Sequence, residues 1–95
     1  MALPSYRIFI RFEVQATLET LSESTRDRVL VTIERLGRDP FAEPDGMLVD
    51  DQDRSYDARY VDDCAVLYRV DHAEKEIRVV DVLMAAIGPR RLPEA

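Results

Sequence analysis

Four arginines, two tyrosines and one histidine are the residues of this chain best suited to chemistry. Arg59, Arg69, Arg90 and Arg91 carry planar, permanently charged guanidinium groups, which suit phosphate contacts better than lysine does. Tyr60 and Tyr68 have the ring faces on which nucleic-acid bases stack. His72, the only histidine, has an imidazole suited to proton transfer near neutral pH. Each has a structural alternative. By strand alternation Arg59 lies opposite a Tyr56/Tyr60 face and is expected to pair with Asp57 or Asp62. Arg69 reads equally as a phosphate clamp or as a solvated strand arginine. His72 falls in a turn, where an exposed bystander is expected, and Arg90-Arg91 lie in a short tail after Gly88-Pro89. No cluster with metal-ligand spacing, no Ser/His/Asp set and no phosphate-cradling glycine loop occurs, and neither a metal nor a cofactor is expected.

The elements that position these residues centre on Cys64 to Leu83. Cys-Ala-Val-Leu-Tyr-Arg-Val-Asp and Glu-Ile-Arg-Val-Val-Asp-Val-Leu flank the polar His-Ala-Glu-Lys connection, the pattern of an antiparallel hairpin. In the first run Cys64, Val66, Tyr68 and Val70 share a face. In the second, Ile77, Val79, Asp81 and Leu83 alternate with Arg78, Val80, Val82 and Met84. Apolar residues on both faces predict strands in the middle of a sheet. Cys64, the only cysteine, is expected to be a buried thiol.

Earlier in the chain, Tyr6, Ile8, Ile10 and Phe12 alternate with Arg7, Phe9 and Arg11, predicting a strand with one basic face. Val14, Leu18 and Leu21 form a helical stripe, broken by Ser22-Glu-Ser-Thr. Val29, Ile33 and Leu36 form a second, with Ser24 as candidate N-cap and Gly37 then Asp39-Pro40 as the stop. Residues 39–53 read as a loop with a short extended piece at Met47-Leu-Val. Arg54 to Val61 is a weaker strand, and Asp62-Asp63 a tight turn. The predicted architecture is α+β, ordered β-α-α-β-β-β, a helical hairpin on a small, mainly antiparallel twisted sheet, in one domain spanning residues 1–95.

Of the 95 residues, 13 are basic and 19 acidic, a net charge of −6. Residues 39–63 alone hold nine acids and two bases, and the remainder is close to neutral. Such a field repels a phosphate backbone and favours a basic partner. No apolar run reaches membrane-spanning length and the start lacks a secretion-signal pattern, so a cytoplasmic bacterial protein without membrane contact is expected.

Two segments carry a resemblance to a known family. One is Ile33-Glu-Arg-Leu-Gly-Arg-Asp-Pro-Phe41 running into Pro44-Asp-Gly46. The other is Val66-Leu-Tyr-Arg-Val-Asp71 followed by Glu76-Ile-Arg-Val-Val-Asp-Val-Leu83. Together they resemble the RelE/ParE superfamily of toxins from bacterial type II toxin–antitoxin modules, over nearly the whole chain. The resemblance implies a small toxin fold wrapped by a cognate antitoxin, acting by ribosome-dependent mRNA cleavage or by poisoning DNA gyrase; a homodimer is compatible with it. For RNA cleavage it implies a basic sheet face, with late basic residues assisting acid–base work; only Arg90 and Arg91 remain for that role, while Arg59, Tyr60 and Arg69 are the candidates for binding nucleic acid or another target. Several expected positions differ: Ala65 stands where relatives have arginine, Tyr56, Ala58 and Tyr60 where they have basic residues, Asp62-Asp63 at the usual Gly-Asp turn, and Met84 near a usual histidine. An acidic chain so altered fits a protein-targeting toxin better than a ribonuclease, and a non-toxic binding module of the same fold is a further alternative.

Overall fold

A computed structural model describes residues 5–84. The chain forms β1 (Arg7–Ile10), α1 (Phe12–Glu19), α2 (Glu23–Arg38), β2 (Gly46–Val49), β3 (Ser55–Val61), β4 (Cys64–Asp71) and β5 (Glu76–Met84). The strands make one sheet in the order β1-β5-β4-β3-β2, antiparallel except where β1 runs parallel to β5. The expected α+β layering holds, and the β4–β5 hairpin is central. The extended piece at Met47-Leu-Val is a full edge strand, which adds a fifth strand to the predicted four.

Both helices lie on one face. Val14 and Leu18 of α1, then Leu21, and Val29, Ile33 and Leu36 of α2 are buried against Val66, Tyr68, Ile77, Val79 and Val82. Removing such apolar side chains from water supplies most of the drive, about 1.5–3 kcal/mol for each large one. The helix stripes therefore behave as predicted, but the boundaries shift. Leu21 lies beyond α1 and still reaches the core. Ser22, not Ser24, caps α2: its hydroxyl accepts from the Thr25 N–H at 3.3 Å. Phe12 opens α1 in an exposed position instead of ending β1.

Gly37 does not stop α2; it lies inside the last turn, because the strand beneath leaves no room for a side chain. A Cβ there would sit 2.8 Å from Ile8 Cδ1 and 3.1 Å from the Tyr6 carbonyl oxygen. The Tyr6 N–H donates to the Gly37 carbonyl at 2.9 Å, stitching the entry of β1 to the exit of α2.

One departure decides what each sheet face carries. Strict alternation along β5 would bury Asp81. A bulge at the level of Leu67 and Tyr68 sets an extra β5 residue against β4. Ile77 and Val79 point into the core, the phase then shifts, and Val82 takes the buried place. Asp81 is thereby kept out of the core, its carboxylate accepting from the Val82 N–H at 2.9 Å.

Candidate functional site

The face opposite the helices is the candidate site, and among the described residues no helix covers it. Its floor is a small second cluster, Ala58, Ala65 and Leu67, with Leu48, Tyr56 and Val80 against it. A groove of about 420 Å³ runs here, its aliphatic lining of Leu48, Val49, Leu67, Val80 and Leu83 joined by Tyr56 and by the charged Arg11, Asp50, Arg54 and Asp81. The groove therefore combines aliphatic side chains with charged groups of both signs.

At the end of the face nearest the β4–β5 turn, the register aligns Arg7 of β1 with Glu76 of β5, and Arg78 of β5 with Arg69 of β4. Arg69 and Arg78 face each other directly, an arrangement that like charges normally destabilise. Two contacts draw them apart. Glu76, only 7% exposed, accepts from Arg78 Nη2 at 2.8 Å and from Arg7 Nη2 at 3.1 Å. Arg69 instead lies over the Tyr56 ring, 5.6 Å from its centroid, and Arg7 similarly leans over Phe9 at 5.7 Å. Hydrogen bonding to Glu76 pushes the pKa of the permanently charged Arg78 guanidinium further up. The result is a row of three arginines across three strands, two of them, Arg7 and Arg78, bridged by one buried carboxylate.

The predicted site residues are not brought together. Arg69 belongs to this row. Tyr60 is on the same side of the sheet but at the far edge, its hydroxyl lying against Gly46, where any Cβ would collide with it. Arg59 is on the other side. Its partner is neither Asp57 nor Asp62: Nη1 donates to Asp45 Oδ1 at 3.2 Å. Asp62 is engaged elsewhere, accepting from Thr25 Oγ1 and, at 3.0 and 3.2 Å, from Arg28 Nε, which holds the β3–β4 turn to the start of α2. Arg28 hydrogen bonding keeps the Asp62 carboxyl below its ordinary pKa. Arg90 and Arg91 lie outside the described residues.

His72 is exposed, as expected, but it is not idle. Its ring stacks on Phe41, with centroids 4.7 Å apart and planes 11° from parallel. In the tautomer protonated on Nε2, the Tyr6 hydroxyl donates to Nδ1 at 3.0 Å. The imidazole thus fastens the β4–β5 turn to the loop after α2, away from the groove. Cys64 is buried as expected; burial pushes its thiol pKa up, and its Sγ lies 3.5 Å from Met84 Sδ. Tyr68 is core, not a stacking platform.

Arg7 and Arg78 are the members of the row that the site assignment missed. Alternation already put Arg7 on a basic face, but only the parallel pairing of β1 with β5 brings it beside Glu76.

At the β2–β3 connection Asp50 organises the turn. Its Oδ1 accepts from the Gln52 and Arg54 N–H groups at 2.8 and 2.9 Å, and its Oδ2 accepts from Arg54 Nε and the Tyr56 hydroxyl at 2.9 and 3.2 Å. Backbone hydrogen bonding from Arg54 leads the effects that lower its pKa to about 2.

The sequence matches no family model and no curated protein. Solved structures do share the fold. The RelE–RelB complex of the archaeon Pyrococcus horikoshii OT3 matches with a TM-score of 0.71 and 21% identity, over 86% of this chain and 97% of that one. The toxin–antitoxin complex RelBE2 of Mycobacterium tuberculosis gives 0.69 and 17%, over 87% and 94%. A mutant of the E. coli toxin RelE in the free state gives 0.65 and 12%, over 90% and 88%. The chain therefore has the RelE-like toxin fold, in a divergent sequence.

Proposed function

We propose that this chain is the toxin of a RelBE-type toxin–antitoxin module, held by a cognate antitoxin in the cytoplasm, and that it acts by gripping a protein target of the gyrase-poison kind. The shared fold supports the toxin reading, since two of the similar structures are toxin–antitoxin complexes. The observation carrying the protein-target reading is the set of aliphatic side chains on the uncovered face, Leu48, Leu67, Val80 and Leu83, in a groove whose charged lining holds two acids beside two arginines. Aliphatic side chains exclude water well against another protein's apolar residues, whereas nucleic-acid bases call for aromatic platforms and a continuous cationic track. The chain's one imidazole is occupied with Phe41 and Tyr6, away from this face.

A second reading, mRNA cleavage at the ribosome, is favoured by the row Arg7, Arg78 and Arg69, which has the spacing of neighbouring strands and could meet successive phosphates. Expression of the chain alone in bacteria separates the two. Growth arrest with altered DNA supercoiling and intact mRNA is expected, and Leu67→Asp should abolish it. Arrest with in-frame mRNA cleavage that is lost in Arg69→Ala/Arg78→Ala or in Arg90→Ala/Arg91→Ala would overturn the protein-target reading. Absence of arrest would favour a non-toxic binding module.

A further inference from the structure

The basic end of the uncovered face is built from neighbouring cations and rings. Ile8 and Ile10 pack into the core, so Arg7 and Phe9 project on the uncovered side of β1. The register sets Phe9 beside Arg78 on β5, and Arg78 beside Arg69 on β4. Phe9 and Arg69 are thus two strand spacings apart, about 10 Å. Phe9 stays 46% exposed, with the Arg7 guanidinium 5.7 Å from its ring centroid. A hollow of about 370 Å³ opens here, lined by Phe9, Ile10, Arg11, Arg78, Val79 and Val80. Among the described residues its only charged walls are therefore two arginines.

The donors are held in place without being exhausted. Arg78 engages one Glu76 oxygen through Nε and Nη2, and Arg7 engages the other through Nη2. Each guanidinium has five N–H groups, so both keep donors for a ligand. Arg11 and Arg69 form no ion pair among the described residues. Against these guanidiniums stand Glu76 and, at the β4–β5 turn, Asp71, whose carboxylate accepts from the Glu74 N–H at 3.0 Å. The hollow is cationic in a chain whose net charge is −6.

An exposed ring beside fixed guanidiniums selects a small anion that has an aromatic part. We propose that this hollow binds a free nucleoside diphosphate. Its base stacks against Phe9 and the Arg7 guanidinium, and its phosphate oxygens accept from Arg78 and Arg69. The span from Phe9 to Arg69 matches the reach from a base to its terminal phosphate. An RNA strand carries the same groups, but charge counts against it. Continued toward β2, a strand would enter the groove whose lining includes Asp50 and Asp81. In an acidic chain each further phosphate adds repulsion, which a small ligand confined to the hollow escapes. The site does not rest on the toxin reading above.

The test is isothermal titration calorimetry of the whole chain with ADP, GDP, adenosine, pyrophosphate and hexaadenylate RNA. ADP and GDP should each bind saturably at one site, more weakly as salt rises. Adenosine and pyrophosphate each carry half of the recognised chemistry and should bind weaker than ADP by roughly tenfold or more. Phe9→Thr and Arg69→Gln both leave the Glu76 bridge intact. Each should weaken ADP roughly tenfold while leaving the far-ultraviolet circular dichroism unchanged. Should one variant not fold, the other variant and the comparison of ligands on the unaltered chain make the same test. Absence of binding by both diphosphates, pyrophosphate binding as tight as ADP, or full ADP affinity in both folded variants would each overturn the proposal. So would hexaadenylate binding more than roughly tenfold tighter than ADP, the mark of a site that follows a polymer. The titration does not depend on toxicity: nucleotide binding without growth arrest counts against the toxin reading and leaves the site standing.

Discussion

Gly37→Ala tests how the entry of β1 is locked beneath the exit of α2. By helix propensity alone the substitution should stabilise α2 by about 0.8–1 kcal/mol. The contacts oppose this. The new Cβ would lie 2.8 Å from Ile8 Cδ1, 3.1 Å from Ile8 Cγ1 nearer the backbone, and 3.1 Å from the Tyr6 carbonyl, which is held close by the hydrogen bond from the Tyr6 N–H to the Gly37 carbonyl. Overpacking of this kind costs about 1–3 kcal/mol, so a net loss of about 1 kcal/mol is expected. For a chain of this size that lowers Tm by roughly 4–8 °C. Urea denaturation should show a lower midpoint with an unchanged slope. Val31→Ala on the exposed side of α2 should be neutral or stabilising, since only propensity acts there. Ile8→Val removes the crowded Cδ1. Alone it should cost about 0.5–1.5 kcal/mol, and less in the Gly37→Ala background. A Gly37→Ala protein at least as stable as the parent, or strict additivity of the two changes, would refute the packing argument.

Two further outcomes follow from the polar clasps. Because the folded-state Asp50 carboxyl titrates at about 2, below its ordinary value of 3.8, its contribution is complete above pH 4 and is lost as pH falls from there through 2. Asp50→Asn should therefore flatten the acid limb of a Tm-against-pH curve over that interval while lowering Tm at neutral pH; parallel curves for the two proteins would contradict this. His72→Ala should cost about 1 kcal/mol through the lost stacking on Phe41 and the lost Tyr6 hydrogen bond, and should raise amide exchange in the β4–β5 turn without altering the uncovered face. An unchanged exchange rate in that turn would show the aromatic clasp to be idle.

The parts of this fold legible in the sequence are those set by local periodicity. The stripes of the two helices and the alternation through β4 depend on residues a few positions apart, and they hold. What was not legible depends on residues far apart in sequence. Gly37 looks like a helix terminator until Ile8 is seen beneath it. Ser24 looks like a cap as much as Ser22 does, and only the path of the preceding chain selects between them. The Val80–Asp81 bulge reverses the phase of β5 with no local signal beyond the cost of burying an aspartate. For the site, Arg69 and Arg78 both lie in the hairpin that the sequence predicts, whereas only the parallel β1–β5 pairing brings Arg7 into their row. His72 is the exposed turn residue that the sequence predicts, but a turn position says nothing about Phe41 and Tyr6, which reach it from other segments.

The distribution of charge separates two surfaces by sign. In the acidic stretch, three carboxylates are structural: Asp45 holds Arg59 and the Tyr60 N–H, Asp50 closes the β2–β3 turn, and Asp62 binds the β3–β4 turn to α2. The acids left outside such contacts include Asp51, beside the open β2 edge, while the arginine row lies on β1, β5 and β4, at the opposite side of the uncovered face. A small anion would thus be drawn to the row and repelled from the β2 side. Bound across Phe9, Arg78 and Arg69, it would leave Leu48 and Leu67 of the neighbouring groove uncovered. If the chain grips a protein target through that groove, such a ligand would not block the grip by covering it. Competition would need a target that also reaches the row, with acidic side chains on the same guanidiniums.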